Sequence, residues 1–151
     1  MAKGRPNLAI LAFEAAIQKN PEDLSNGNTW RIMGRLQQEN DSDQKAVTCL
    51  LKALQYDNKN LDTLLALGIS CTNILDETRA MDYLKQWIMN NKNYEFIKID
   101  PNIIPATGPD GFTIDEIKEM NIRMLTVFEH ARTINPNDPE LLNSLAVLNF
   151  I

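Results

Sequence analysis

Apolar residues recur along the chain with the spacing of helices that bury one face. In residues 8–21, steps of four and then three positions place Ala9, Phe13 and Ala16 on one stripe, and Pro21 follows. The same spacing returns in three later segments, with the stripes Ala46, Leu50, Ala53; Ala80, Leu84, Trp87; and Met124, Phe128, Ala131. The pattern predicts four copies of one helix type. The residues predicted to be buried between helices are Ala9, Phe13, Ala46, Ala53, Ala80, Leu84, Phe128 and Ala131.

A second helix type precedes some of these copies. It carries a large residue and, four positions later, a glycine, as at Trp30 and Gly34, and again 34 residues later at Leu64 and Gly68. A third copy places Leu142, Leu145 and Ala146 in the same phase. A small residue lets one helix lie close against its partner, and large residues fill the remaining groove. Both glycines are therefore predicted at helix crossings.

A 34-residue unit with this order of large and small residues resembles the tetratricopeptide repeat. The resemblance implies an all-α fold, a superhelical solenoid of antiparallel helix hairpins. The proline that closes the repeat is replaced here by Asn58 and Lys92. The predicted division of the domain, 1–151, is the second helix of repeat 1 at 7–23, repeat 2 at 27–60, repeat 3 at 61–94, an irregular insertion at 95–114, a helix of repeat 4 at 115–138 and the start of repeat 5 at 139–151.

The ends of the chain and the predicted insertion depart from the repeat. The chain begins on a second helix of a repeat and ends in Phe150 and Ile151, after an apolar helix. Because solenoids need polar capping repeats, we expect a piece of a longer array whose exposed ends could self-associate. The insertion is rich in proline and glycine, which is typical of a loop.

Composition and charge argue against several classes of protein. The chain is 44% hydrophobic and 23% charged, as in ordinary globular proteins, and it has no apolar stretch of about 20 residues that could cross a bilayer. Residues 91–151 carry five Lys or Arg against nine Asp or Glu, so a nucleic-acid partner is not expected. Cys49 and Cys71 lie in apolar helical patterns, which predicts buried thiols rather than a disulfide or a zinc site.

No catalytic pattern is present in the sequence. The single histidine, His130, is expected on a helix surface, and no nucleophile elbow, phosphate-binding loop or zinc-protease motif occurs. Asp115 and Glu116 follow Thr113 and are expected to stabilise the start of a helix. We therefore expect a protein that is not an enzyme and needs no cofactor or metal.

The end of the 61–74 helix suggests a binding function. Its last residues are polar but uncharged, and an asparagine such as Asn73 can donate to a peptide carbonyl and accept from its N–H at once. The alternative is that Asn73 only ends the helix, since asparagine tolerates a left-handed cap. Arg31 and Arg35 precede this helix, but no basic residue lies between Leu61 and Ile74, so a carboxylate clamp built from two repeats is not predicted.

Four strings together resemble one family of tetratricopeptide proteins, the peroxin-5 receptors for type 1 peroxisomal targeting signals. They are LAILAFEAAIQKNP, W-x-x-M-G-R-L-Q-Q-E-N-D, LLALGISCTN and YLKQWI. The most specific part is LGISCTN, the end of the third string, with Cys71 in place of the family's aromatic residue. The irregular stretch after Trp87 and the helix from Phe128 to Pro136 also match the family's order.

This resemblance implies part of the cargo-binding domain of an import receptor. The family captures proteins that end in Ser-Lys-Leu or a close variant and delivers them to peroxisomes or glycosomes, cycling between the cytoplasm and docking proteins of the organelle membrane. It implies that Asn73 binds the cargo backbone, with Thr72 and Ile69 beside it. Glu39 would face the basic residue next to the cargo's C-terminus; the alternative for Glu39 is a solvated helix end.

Two further functions stay open at this stage. One is a generic tetratricopeptide adaptor with no preference for a C-terminal tripeptide, and the other is a regulatory array fused to a catalytic domain outside this sequence. Later repeats supply most cargo contacts in the resembling family. The chain by itself is therefore expected to bind cargo weakly or not at all.

Overall fold

A computed structural model of the protein describes residues 4–151, with side chains from Leu8 onward, so the first three residues of the predicted domain lie outside the described part. Within it, seven α-helices and one 3-10 helix follow one another along the chain. They are α1 (Gly4–Lys19), α2 (Asn26–Glu39), α3 (Asp43–Tyr56), α4 (Leu61–Asn73), α5 (Glu77–Met89), the 3-10 helix (Lys92–Tyr94), α6 (Ile114–Ile134) and α7 (Pro139–Phe150).

The helices form two layers. Neighbours in sequence pack on one another, α2 on α3, α4 on α5 and α6 on α7, through short turns that make them antiparallel. Helix α4 also touches α2 on one side and α7 on the other, so these three helices form one layer, which we call the inner layer. The remaining helices lie behind it. None of the helices in residues 4–151 is both long and apolar enough to span a bilayer.

The two glycines lie at close helix crossings, as predicted. A Cβ atom on Gly34 would lie 2.6 Å from the Cγ of Leu50, and one on Gly68 would lie 2.9 Å from the Cδ2 of Leu84. Both leucines are completely buried. Because no larger residue fits without movement, these crossings fix the separation of α2 from α3 and of α4 from α5.

The predicted stripes are buried in the middle of the molecule but not at its two ends. All nine stripe residues of α3, α5 and α6 are buried. In α1, however, Ala16 is exposed and Ala9 only half-buried, because α1 packs against α2 through a shifted face made of Ile10, Phe13 and Ile17. In α7 the predicted Leu142 and Ala146 are exposed, and the buried residues are Leu141, Ser144, Leu145 and Leu148.

The turns inside the first two hairpins have the same backbone conformation. Asp41 and Leu75, 34 positions apart, both adopt positive φ, at 54° and 62°. In each turn the next residue donates its N–H to a carbonyl five positions back, from Ser42 to Gln37 and from Asp76 to Cys71, both at 2.8 Å. This is the Schellman arrangement, which ends a helix on one left-handed residue.

The segment between α5 and α6 is irregular but anchored in the core. Its residues Tyr94, Ile103 and Ile104 are buried, and Tyr94 donates its hydroxyl hydrogen bond to Asp138 at the start of α7. The ring of Trp87 lies between Tyr94 and Phe128, with centroids 6.0 and 6.2 Å away. Since no helix occupies residues 95–113, α7 packs directly on α4 and completes the inner layer.

Candidate functional site

One stripe of α4 faces outward from the inner layer. Asp62, Ile69 and Asn73 follow one another at steps of seven and four residues, which places them on the same side of an α-helix. Asp62 and Asn73 are exposed, and Ile69 is half-buried between them. We call this side the inner face.

Charged residues of all three inner-layer helices meet on this face. Arg31 of α2 forms an ion pair with Asp62 of α4 at 3.4 Å, with both side chains partly exposed. The pKa of Glu140 in α7 is raised, first because the carboxyl is partly buried and then because the carboxylates of Asp62 and Asp138 lie near it, while Arg35 acts in the opposite direction. Acidic groups therefore dominate the face near the beginnings of α4 and α7.

The four residues expected to bind cargo differ in what they present. Asn73 is exposed, and Ile69 packs with its inward side against the core. Thr72 is buried and donates its hydroxyl hydrogen to the carbonyl of Gly68 in its own helix at 2.9 Å. That hydrogen is therefore not available to a bound peptide. Glu39 is exposed at the last position of α2.

Glu39 lies near the end of α4 that carries Asn73. The residue before it, Gln38, donates its side-chain amide to the carbonyl of Ala66 at 2.9 Å and to the hydroxyl of Ser70 at 2.7 Å. These contacts tie the last turn of α2 to the second half of α4. Glu39, Ile69 and Asn73 thus belong to one end of the inner face.

A polar network beneath Asn73 joins three helices. Ser70, which is completely buried, donates its hydroxyl to Oδ1 of Asp43 at 2.7 Å. Asn73 donates its side-chain amide to Oδ2 of the same carboxylate at 3.2 Å. With Gln38 bonded to Ser70, the network links α2, α3 and α4. Asp43 and Asn73 also line an open depression of about 350 Å³ between the α2–α3 turn and the end of α4.

The structure removes the capping alternative for Asn73. The left-handed residue that ends α4 is Leu75, and Asn73 lies two positions earlier, inside the helix. Its carbonyl group and side chain are therefore not needed for the turn. The neighbouring Cys71 is a buried free thiol, and burial raises its pKa to about 11, which makes it a packing residue rather than a reactive one.

Comparison with known proteins gives matches along almost the whole chain. The chain is 36% identical to Peroxisome biogenesis protein 5 of Arabidopsis thaliana over 146 residues, which cover 97% of this chain and 18% of that protein. It is 30% identical to the PEX5-related protein of Homo sapiens, over 98% of this chain and 24% of that protein.

Almost the whole chain is homologous to a part of the peroxin-5 proteins.

A third relative has the same relation to the chain. The Peroxisomal targeting signal 1 receptor of Dictyostelium discoideum is 32% identical over 97% of this chain and 22% of its own length. The chain thus spans about a fifth to a quarter of the peroxin-5 relatives described here. A scan against models of protein families finds no match.

Solved structures confirm the architecture that the repeats predicted. A tetratricopeptide repeat protein from Parabacteroides merdae superposes on 98% of this chain and 54% of its own, with a TM-score of 0.66 at 16% identity. MamA superposes on 97% of this chain and 78% of its own, with a TM-score of 0.65 at 19% identity. The chain is thus an all-α protein with stacked helix pairs of the tetratricopeptide type.

The sequence did not reveal the network that supports Asn73. Ser70 belongs to the polar end of α4, but its partner Asp43 lies 27 residues earlier and looks like any acidic residue in the first turn of a helix. The one available signal was that Ser70 and Asn73 are three positions apart, so that both point to the same neighbour.

Proposed function

We propose that this chain forms part of the cargo-binding region of a receptor for C-terminal Ser-Lys-Leu-type signals. The homology to peroxin-5 proteins supports this proposal, since one of the relatives is a Peroxisomal targeting signal 1 receptor. The role is one of binding and not of catalysis. The division into repeats at 27–60 and 61–94 belongs to the same proposal.

The observation that carries the proposal is the exposed amide of Asn73 on the inner face. A peptide in extended conformation offers one N–H and one carbonyl at each residue, and a single asparagine side chain matches both. Ile69, one turn earlier on the same stripe, adds apolar contact. Thr72 supports this surface from below, because it is buried and its hydroxyl is bonded within α4.

Glu39 is the residue proposed to select the basic side chain of the signal. It is exposed at the same end of the inner face as Asn73, and its carboxylate is available to a lysine one place from the peptide's C-terminus. Arg31 is unsuited to hold the terminal carboxylate because it is paired with Asp62. We propose that residues outside this chain hold that carboxylate.

The wider cellular role follows from the same homology. We propose that the protein cycles between the cytoplasm and the membrane of peroxisomes or of glycosomes, where docking proteins receive the loaded receptor. The matched regions make up less than a quarter of these relatives, and the cellular role is proposed by analogy with the whole relatives.

Fluorescence anisotropy of a labelled peptide ending in Ser-Lys-Leu tests the proposal, first with the 151-residue chain and then with the natural protein in its full length. We expect weak binding to the chain, tight binding to the full protein, and loss of at least about tenfold in affinity for Asn73→Ala, since a bound peptide bond is left unpaired. Asn58→Ala, an exposed asparagine in the α3–α4 turn, is the matched control.

The peptide variants separate the receptor from a general adaptor. Amidation of the C-terminus should abolish tight binding, and replacement of the penultimate lysine by glutamate should weaken binding to the wild type more than to Glu39→Gln. If the full-length protein binds acid and amide peptides equally, the chain is a generic adaptor and the receptor proposal is wrong.

A further inference from the structure

We propose that Asp43 is a positioning residue, which holds the Asn73 amide in one orientation so that its carbonyl oxygen faces an incoming peptide. This inference rests on the proposed function, because it assumes that Asn73 contacts the cargo backbone. It assigns a role to Asp43, which lies on α3 behind the inner layer. The resemblance to receptors did not assign a role to this residue.

The chemistry of the carboxylate fixes the direction of each bond in the network. An ionised carboxylate only accepts hydrogen bonds. Ser70 has a single hydroxyl hydrogen and must donate it to Oδ1 of Asp43. The oxygen of the same hydroxyl therefore accepts the hydrogen bond from the side-chain amide of Gln38. For the same reason Asn73 must turn Nδ2, and not Oδ1, toward Asp43.

The carboxylate itself is held in place by its position in α3 and by its bond to Ser70. Asp43 is the first residue of α3, where a negative charge is favoured by the positive end of the helix dipole. Ser70 fixes Oδ1 from the buried side of α4, and Ser70 is in turn fixed by Gln38 of α2. Because all these helices belong to the packed core, the acceptor for Asn73 stands ready before any peptide arrives.

The result is an asparagine with a defined outward face. One hydrogen of Nδ2 is bonded to Asp43, which leaves the second hydrogen and Oδ1 available. Among the residues 8–151 whose side chains the structure describes, none bonds to that Oδ1. A donor and an acceptor side by side match the carbonyl and N–H of an extended peptide. Holding the amide in advance also reduces the entropy that binding must remove.

The isosteric variant Asp43→Asn tests the orientation directly. Its amide can keep an oxygen toward Ser70 only by turning an N–H toward Asn73, so Asn73 must rotate and present Nδ2 outward. We expect binding of the Ser-Lys-Leu peptide to weaken about three- to tenfold in the wild-type background. In the Asn73→Ala background the same substitution should change the affinity by less than about twofold, because the amide that Asp43 orients is absent.

The matched control is Asp41→Asn, which removes the same charge from the same depression two residues away. Should it weaken binding as much as Asp43→Asn, the effect is one of general charge and the proposal fails. A second variant, Asp43→Ser, keeps a residue suited to a helix start but is too short to reach Asn73. It should reproduce the loss, so the test does not depend on the folding of one variant.

Nuclear magnetic resonance of the free 151-residue chain separates failure of this inference from failure of the proposed function. In the wild type, the Nδ2 proton of Asn73 that is bonded to Asp43 should be shifted downfield and exchange with water more slowly, which adds to the shift difference that every primary amide shows. This additional difference should collapse in Asp43→Asn and in Asp43→Ser. If it persists in the variants, Asp43 does not orient Asn73, whatever binds there. If it collapses but no peptide binds to the full-length protein, the orientation stands and the receptor function is wrong.

Discussion

The hairpins α2–α3 and α4–α5 have the same backbone path but different inner surfaces. Equivalent residues are 34 positions apart, and the crossing glycines, Gly34 and Gly68, occupy equivalent positions, as do the leucines that cover them. On the inner face, in contrast, Arg35 corresponds to Ile69 and Glu39 corresponds to Asn73. The contact between glycine and leucine at the crossing is thus alike in both hairpins, while these two outward positions differ and can carry separate binding functions.

The largest difference inside the core is Trp87, which lies where the first hairpin has Ala53. Trp87 is completely buried between Tyr94 and Phe128, so it joins the second hairpin to the irregular segment and to α6. We expect Trp87→Ala to lower the free energy of unfolding by about 3–5 kcal/mol, through lost apolar burial and an unfilled cavity. Urea denaturation followed by circular dichroism measures this loss.

The control for this substitution is Met89→Ala on the exposed side of the same helix, which should change stability by less than about 0.5 kcal/mol. A loss at Trp87 no larger than the loss at Met89 would show that the second hairpin does not depend on its contact with α6.

The next largest effect concerns the glycines that make the two hairpins alike. Gly34→Leu and Gly68→Leu should each cost about 3 kcal/mol, since the new side chain meets a buried leucine of the partner helix. The alanine variants sharpen the comparison. Gly34→Ala should be the more costly of the two, because its Cβ would lie 2.6 Å from Leu50, against 2.9 Å between Cβ and Leu84 at Gly68.

Thermal unfolding of all four glycine variants checks this order. In a helix interior alanine is also more stabilising than glycine by about 1 kcal/mol. The melting temperature of Gly68→Ala should therefore come close to that of the wild type. Unchanged melting temperatures in both leucine variants would contradict the assignment of these sites as close crossings.

The smallest effect separates the two hairpin turns. Leu75 is 79% exposed and held at positive φ, a conformation that costs a leucine about 1–2 kcal/mol. Leu75→Gly should therefore stabilise the protein by about 1 kcal/mol. Asp41→Gly should gain less, because aspartate tolerates this conformation better than leucine does. The two glycine variants can be compared by their midpoints in urea, and a loss of stability in Leu75→Gly would show that the turn is not strained.

The sequence predicted those parts of the fold that depend on contacts within one repeat. Ala46, Leu50 and Ala53 are buried as their spacing requires, because α3 has helices on more than one side. Ala16 is exposed because periodicity shows only which residues share a side, and the neighbours of α1 decide which side is covered. Tyr94 and Ile103 lie in a segment without any period, so no pattern could show that they are buried.

For the candidate site, the sequence supplied the exposed residues but not their support. Asn73 follows from the composition of the end of α4 and from the resemblance to receptors. The contact of Asp43 with Ser70 joins residues from two different hairpins, and it depends on how those hairpins stack. That stacking follows from side-chain packing throughout the core, for which a single sequence gives no local signal.

The irregular segment offers a place to alter the protein without disturbing its binding layer. Ile103, Ile104 and Phe112 anchor the segment on either side of residues 105–111, which are all exposed, and a Cβ on Gly108 would meet no atom within 4 Å. Doubling the length of such a loop costs only about 0.6 kcal/mol in closure entropy. A fluorophore, an affinity tag or a longer natural sequence placed there would leave α4 and α7 in contact, so it could report on cargo capture without changing it.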